Sequence, residues 1–164
     1  MQNRSEAVTL LVARGAFLHH RCVTVAGANY GSIAALQAMM TSSRWLALSR
    51  TERLEAERDM LHYAKDKATL DAVRSFVLDM SAQVARIDET GNNALHSAAN
   101  KGRPVPLICA LIKEGVDPTH RNDAAQTPAE VASEAGHTLQ ATLLERAAED
   151  KRRRDIAAAA TTES

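Results

Sequence analysis

The histidines and cysteines are the residues of this chain whose types could bind a metal or support catalysis. His19, His20 and Cys22 lie close together, but no second ligand pair follows at the spacing of a zinc site. His62 and His96 each follow a leucine, and the sequence pairs neither with a nucleophile or a carboxylate. The chain has no Gly-x-Ser-x-Gly elbow, His-Glu-x-x-His pair or phosphate-binding loop. We therefore expect no metal site, no cofactor and no catalytic residue.

A second group of residues could bind a nucleotide. Residues 23–33 contain Gly27 and Gly31, so they can be drawn as a strand, a glycine turn and a helix whose amides would face a pyrophosphate. Residues 46–49 could be a second strand, and Arg50 at its end could meet a 2′-phosphate. With Asn92-Asn93-Ala94 downstream, this pattern resembles the short-chain dehydrogenases.

The dehydrogenase pattern is incomplete at two places. Ile33 stands where a third glycine would come. That family carries a catalytic Tyr-x-x-x-Lys downstream of its Asn-Asn-Ala, whereas Tyr30 and Tyr63, both upstream, are the two tyrosines of this chain. The alternative interpretation is therefore a degenerate NAD(P)-binding protein that lacks the catalytic Tyr and Lys.

Residues 88–132 contain an internal repeat, and they dominate the interpretation of the chain. Four pairs of residues lie 34 positions apart, namely Asn93 and Thr127, Leu95 and Ala129, Ala98 and Ala132, and Gly102 and Gly136. Leu61-His62-Tyr63-Ala64 precedes Leu95-His96-Ser97-Ala98 by the same interval. A period of this length is typical of paired helices that bury their apolar faces only by stacking on neighbouring copies.

These residues resemble the ankyrin repeat family over about residues 59–146 and more weakly over 1–58. The family's acidic residue, turn glycine, Leu-His pair and alanine pair are matched by Asp88, Gly91, Leu95-His96 and residues 98–99. The sequence departs from the family where Asn93-Ala94 replaces Thr-Pro, where Ala125 replaces the turn glycine, and where Ala129-Glu130 replaces Leu-His.

The resemblance implies an all-α fold, a short solenoid of stacked helix-turn-helix repeats with a polar C-terminal capping helix. We expect about 3–4 repeats within a single domain of residues 1–156. Residues 157–164 are expected to be a frayed tail.

Local chemistry predicts where the repeated helices begin and end. The side chains of Asn93 and Thr127 can each cap the first turn of a helix. Gly102 and Gly136 can take the left-handed conformation that ends a helix, and Ala68 stands at the matching position one repeat earlier.

Composition limits the kind of partner. Aromatic residues make up only 3% of the 164, which favours helices packed through aliphatic side chains, and the net charge is zero.

The basic run Lys151–Arg154 is flanked by acids and is interpreted as a solvated helix end, with a nuclear signal or RNA contact as the alternative. No apolar run is long enough to span a membrane. Cys22 and Cys109 are far apart and predict an intracellular protein, cytoplasmic by preference, with the nucleus and the mitochondrion left open.

The ankyrin resemblance implies a non-catalytic scaffold or adaptor that binds a protein partner, as a monomer or as a subunit of a larger complex. Neither nucleic acid nor a membrane is expected as a partner. Trp45 is either a binding hot spot or a side chain that fills the space between repeats. The predicted contact residues lie on finger tips and on the concave face: Trp45, Arg50, Arg53, Arg86, Glu89, Asn92, His120, Arg121, Asp123 and Gln126.

Overall fold

The fold is all helical in the part of the chain that the structure describes. A computed structural model describes residues 40–41, 43–56, 60–76 and 80–162. These residues form helices, turns and bends, and none of them lies in a strand. The predicted all-α class is confirmed. Leu46, which would begin a strand in the nucleotide-binding interpretation, instead ends a helix. The glycine turn of residues 23–33 and the candidate metal ligands of residues 19–22 lie outside the described residues.

The chain divides into two compact units, Met1–Arg86 and Ile87–Ser164, and each is described by itself. In the first unit the described helices are α1 (Ser43–Leu46), α2 (Arg50–Ala56), α3 (Met60–Tyr63), α4 (Lys67–Phe76) and α5 (Met80–Val84). Helix α3 packs against both α4 and α5. Leu61, Leu70 and Val73 are almost fully buried, so they form the centre of this unit's described core.

The helix positions in residues 60–76 differ from the 34-residue register expected from the sequence. Ala68 was expected to end a helix, but it lies inside α4. The reason is Asp66, whose carboxylate accepts hydrogen bonds from the Thr69 backbone N–H (2.8 Å) and hydroxyl (2.8 Å). Because this side chain caps the first turn, α4 begins at Lys67, before the position at which the repeat spacing would end a helix.

The second unit contains two helix pairs, α6 (Ala94–Asn100) with α7 (Val105–Lys113) and α8 (Pro128–Glu134) with α9 (Thr138–Thr162). Helix α6 packs against α8, and α7 packs against α9, so the pairs lie side by side. Small residues, including Ala98 and Ala132, are buried where α6 meets α8. The largest fully buried side chains of this unit are Leu95, His96, Leu107, Ile108, Leu111 and Leu144.

The predicted helix ends of the second unit are confirmed. Asn93 caps α6 by accepting hydrogen bonds from the Leu95 and His96 backbone amides, and Thr127 caps α8 in a capping box. Gly102 and Gly136 have φ angles of 56° and 78°. At position 102 a side chain would also meet the His137 ring, which lies 2.5 Å from the place of a Cβ atom.

Helix α9 is longer than the sequence analysis expected. It runs to Thr162, whereas the capping helix was expected to end at residue 156 and the following residues to fray. Alanine has the highest helix propensity of the common residues, and Ala157–Ala160 is a run of four alanines. Propensity therefore favours the continuation, although every residue from 152 to 161 is exposed.

Candidate functional site

The candidate binding site of the second unit is built on two loops that precede α6 and α8. We call residues 88–92 the first finger and residues 122–126 the second finger. Both close with the same backbone hydrogen bond, from Asp88 N–H to Asn92 O (2.9 Å) and from Asn122 N–H to Gln126 O (3.0 Å). The two fingers are thus two copies of one turn, although Ala125 replaces the turn glycine in the second.

The residue that opens each finger holds the turn with its side chain. Asp88 Oδ1 accepts hydrogen bonds from the Thr90 and Asn92 backbone amides, both at 2.9 Å. Asn122 Oδ1 accepts the equivalent bonds from Ala124 (3.1 Å) and Gln126 (2.9 Å). The amide oxygen of Asn122 therefore replaces the carboxylate oxygen of Asp88, because the turn needs only one acceptor atom from this side chain.

Partial burial alone would raise the pKa of Asp88, but the hydrogen bonds it accepts outweigh that effect. Thr90 donates from its hydroxyl and its backbone N–H, and Asn92 donates from its backbone and side-chain amides. Together they hold the pKa of Asp88 below its usual value. The carboxylate therefore stays charged and keeps its acceptors available to the turn.

The two fingers are joined directly. Asp123 N–H donates to the Thr90 carbonyl (3.1 Å), and the Asn122 side-chain amide donates to Asn92 Oδ1 (2.9 Å). Gly91 permits this approach, because its φ is 74° and a Cβ atom there would lie 2.8 Å from the Asp123 backbone nitrogen. The finger tips are consequently held at a fixed spacing.

His96 links the first repeat to the second. Its Nε2–H donates to the Gln126 carbonyl (2.9 Å), and its Nδ1 lies 3.3 Å from the Asn93 backbone nitrogen and 2.8 Å from Asn93 Oδ1. Glu130 stands where the repeat would place another histidine, and its carboxylate accepts the equivalent bond from Thr127 N–H (2.6 Å). His96 is buried, and its hydrogen bonds connect the start of α6 to the second finger.

Two further side chains hold the fingers against the rest of the unit. The His120 ring lies edge-on to the His96 ring and is bonded through Nε2 to the Gly91 carbonyl (2.9 Å). The Asn93 side-chain amide donates to the Asp117 carbonyl (2.7 Å). Both bonds satisfy loop carbonyls, so they stiffen the frame that carries the finger tips.

The exposed charges of this frame are the groups that a partner can reach. Glu89 and Asp123 occupy equivalent positions at the two tips, and both are exposed. Arg121 is exposed as well and turns back over its own finger, where it donates to the Ala125 carbonyl and lies 3.3 Å from the Glu130 carboxylate. By contrast, Asn92, His120 and Gln126 are half-buried and hydrogen bonded within the frame.

Two acidic residues of this surface were missed by the sequence analysis as candidate contacts. Glu130 is exposed, and its pKa is lowered by the hydrogen bonds from the Thr127 backbone and hydroxyl, with a smaller contribution from Arg121. Glu134 is exposed and accepts a hydrogen bond from the Gln126 side chain (2.7 Å). The spacing Thr127-x-x-Glu130 is a capping-box signal, so it could have placed Glu130 at the start of α8 beside the finger.

The remaining predicted contact residues lie at or before position 86, and they differ in exposure. Trp45 is only 4% exposed, and the Arg53 guanidinium lies 6.0 Å from its ring centroid, within the range of a cation–π contact. Burial of this kind matches the space-filling alternative for Trp45. Arg50 is exposed at the start of α2, whereas Arg53 and Arg86 are half-buried.

The comparison with family models covers the helix pair α6 and α7 and part of each finger. The model described as "Ankyrin repeat" matches residues 90–123. Residues 90–123 form an ankyrin repeat. The matched stretch includes α6, α7 and the left-handed Gly91, Gly102 and Gly115. Beyond the matched residues, the end of the second finger and the start of α8 repeat the bonds of the first finger and of α6 at positions 34 residues later.

The chain also resembles part of a larger curated protein. Over 106 residues it is 30% identical to Synphilin-1 of Mus musculus, a match that covers 58% of this chain and 11% of that protein. The chain thus corresponds to a small fraction of this relative's length.

The described residues offer no other obvious site. They contain no cluster of three His, Cys, Asp or Glu side chains that could hold a metal ion. Among them, no helix combines the length and the apolar character needed to cross a bilayer. Neither the ankyrin match nor the described helices support the alternative NAD(P)-binding interpretation.

Proposed function

We propose that this chain is a non-catalytic interaction module that binds a protein partner through the two fingers and the adjoining start of α8. The ankyrin repeat supports this proposal, because such arrays display loop tips and inner helices as one binding surface. On this proposal the module acts as a scaffold or adaptor inside the cell, with the cytoplasm preferred.

The observation that carries the proposal is the bonding between the fingers. Asp123 N–H to Thr90 O, and Asn122 to Asn92, hold two exposed acids at equivalent tip positions. A surface that is already ordered loses little conformational entropy on binding, so more of the contact energy remains as affinity. The exposed charges then determine which partner is accepted and how fast it associates.

The charges of this surface are mainly acidic. Glu89, Asp123, Glu130 and Glu134 are exposed there, and Arg121 is the exposed base between them. Because Arg121 lies against Glu130, part of its charge is compensated within the finger. Reversal of these charges should therefore change partner binding without disturbing the buried core.

The proposal is tested by comparing charge reversals on and off the fingers. The full chain is used to capture partners from source cells, and each captured protein is then measured for its affinity with purified variants. We expect Arg121→Glu, and separately Glu89→Lys with Asp123→Lys, to weaken binding by about tenfold, which corresponds to about 1.4 kcal/mol.

Lys113→Glu is the matched control, because Lys113 is an exposed base at the end of α7, on the outer helix of the pair. It should change the affinity by less than about twofold. If the finger variants and this control bind every captured partner equally well, the fingers are not the binding surface. Circular dichroism of each variant establishes that its helices are intact.

A further inference from the structure

The C-terminal half of α9 extends beyond the packed part of its unit. Ala148 is 3% exposed and is the last buried residue of the helix, whereas residues 152–161 are all exposed. The helix continues from Ala148 to Thr162, a length of about 21 Å at 1.5 Å per residue. An isolated helix of this size is only marginally stable in water, so a contact along its length would stabilise it.

The charges in this part of α9 are arranged with opposite signs about one point. Three charged residues on one side of the bond between residues 150 and 151 each have a counterpart of opposite charge at the same sequence distance on the other side. These pairs are Asp150 with Lys151, Glu149 with Arg152, and Arg146 with Asp155. A two-fold axis through this point exchanges the members of each pair, so a pair that lies on the contact face is complementary to its own copy when two such helices run antiparallel.

Of these pairs, Glu149 with Arg152 lies on a face of the helix that also carries Glu145 and Ile156. Glu145, Glu149, Arg152 and Ile156 follow one another at intervals of four, three and four, which places them along one stripe. All four are exposed, and Ile156 is 70% exposed, whereas Ala148 is turned into the unit. The stripe is therefore open to solvent, although it lies next to the buried face of the helix that includes Ala148.

We propose that α9 pairs antiparallel with α9 of a second copy of this chain, through the stripe of Glu145, Glu149, Arg152 and Ile156. In this arrangement Glu149 of each copy faces Arg152 of the other, and Ile156 of each copy lies against the aliphatic part of Glu145. The contact is isologous, so every favourable pair occurs twice. It is separate from the fingers, and the proposed partner binding does not depend on it.

The ion pairs within one copy leave charges available for this contact. Glu149 pairs with Arg153, and Lys151 lies 2.6 Å from Asp155, but these are exposed i,i+4 pairs of the kind that contribute little. Among the described residues Arg152 makes no ion pair. Its charge is therefore free to meet the Glu149 of a second copy.

Lys151 is better placed to anchor the helix than to bridge two copies. Its ammonium group lies 4.0 Å from Asp117 of its own unit, and its side chain is 31% exposed. The hydrogen bond to Asp155, with a further contribution from Asp117, raises the pKa of Lys151 above its usual value. The two Glu149–Arg152 contacts are consequently the central pairs of the proposed dimer.

The contact is small, so the dimer is expected to be weak. Residues 145–156 make about three turns of helix, and such an area falls in the class below about 1,200 Å² that is typical of transient complexes. We expect a dimer that forms reversibly at a concentration on the order of 100 µM and dissociates on dilution. Raising the salt from about 0.1 M to about 1 M, which shortens the Debye length from roughly 10 Å to 3 Å, should also dissociate it.

The test uses two oppositely charged variants of the full chain in sedimentation velocity. Glu149→Arg makes the centre of the stripe basic, and Arg152→Glu makes it acidic. Each variant alone should lose self-association, because like charges then face one another. A mixture of the two should associate at least as well as the unaltered chain, because their charges are complementary again.

The matched control is Lys113→Glu, which reverses an exposed charge at the end of α7, outside both the stripe and the fingers. This variant should self-associate as the unaltered chain does. The proposal fails if the unaltered chain stays monomeric at low salt up to about ten times the expected dissociation constant. It also fails if the two oppositely charged variants do not associate when mixed, provided that circular dichroism shows both to be helical.

Discussion

The substitution Ala125→Gly should stabilise the protein, although glycine usually weakens one. Ala125 has a φ of 59° and, among the described residues, is the one non-glycine with a positive φ. Its counterpart in the first finger, 34 residues earlier, is Gly91 with a φ of 74°. The left-handed conformation costs an L-residue about 1–2 kcal/mol, whereas glycine adopts it freely.

The size of the effect follows from two opposing contributions. Relief of the left-handed conformation contributes about 1–2 kcal/mol, and the greater freedom of glycine in the unfolded chain removes about 0.4–1 kcal/mol. We therefore expect Ala125→Gly to raise the free energy of unfolding by about 0.5–1 kcal/mol. For a unit of this size such a gain should raise the melting temperature by roughly 2–8 °C.

The assay is urea unfolding followed by the helical circular dichroism signal, with Ala124→Gly as the control. Ala124 is the exposed neighbour of Ala125 in the same finger, and its φ is not positive. Ala124→Gly adds the entropy cost of glycine but relieves no left-handed conformation, so this variant should be destabilised by about 0.4–1 kcal/mol. If both substitutions destabilise equally, Ala125 does not hold the left-handed turn and the reasoning is refuted.

The reverse change in the first finger should have the opposite sign. In Gly91→Ala the new Cβ would lie 2.5 Å from Asp123 Oδ1 and 2.8 Å from the Asp123 backbone nitrogen. The carboxylate is exposed and can move, but the backbone nitrogen is held by its bond to the Thr90 carbonyl. Loss of that bond adds about 1 kcal/mol to the conformational penalty, so we expect a destabilisation of about 2 kcal/mol.

Two further changes test the helix cap and the side chain that opens the first finger. Thr127→Ala removes the cap of α8 and should lower the free energy of unfolding in urea by about 1 kcal/mol. The pKa of Glu130 in the folded protein lies below its unfolded value of 4.5, so its carboxylate contributes its full stability above pH 4.5 and loses that contribution as the pH falls. Because Thr127 donates the hydrogen bonds that lower this pKa, Thr127→Ala should make the stability less sensitive to acid in a pH series. Asp88→Asn should change stability by less than about 0.5 kcal/mol, because Asn122 already makes the equivalent bonds, whereas Asp88→Ala should cost about 1–2 kcal/mol. Folding also lowers the pKa of Asp88, so the stability that this carboxylate contributes is lost as the pH falls below its unfolded pKa of 3.8. Asp88→Asn should therefore make the protein lose less stability on acidification below pH 3.8.

Sequence analysis predicted the features that depend on a few neighbouring residues. Asn93 and Thr127 cap their helices, and Gly102 and Gly136 take the left-handed conformation, because each of these tasks is set by side-chain type at a helix end. The 34-residue spacing then identified which ends are equivalent. The same local logic failed at Ala68, since a nearer signal, the cap at Asp66, fixed the start of α4.

The features that sequence analysis could not resolve depend on contacts between distant residues. His120 was grouped with the exposed contact residues, yet its ring is half-buried against a carbonyl 29 positions away. Nothing in the neighbouring residues distinguishes a histidine bonded in this way from one that faces solvent. The same is true of Trp45, whose burial depends on how the helices around it pack.

The second finger shows how the two kinds of information combine. A tip alanine in place of glycine argues locally against the turn, because its side chain disfavours the required backbone angle. The turn forms nonetheless, since Asn122 holds two of its amides, Ala125 N–H donates to the Asn122 carbonyl (2.8 Å), and Asp123 N–H donates to the first finger. Each such bond contributes about 1 kcal/mol, so together they exceed the cost of one unfavourable residue. The repeat therefore tolerates the loss of its turn glycine because the neighbouring finger supplies a template, and a finger without that neighbour would be expected to need the glycine.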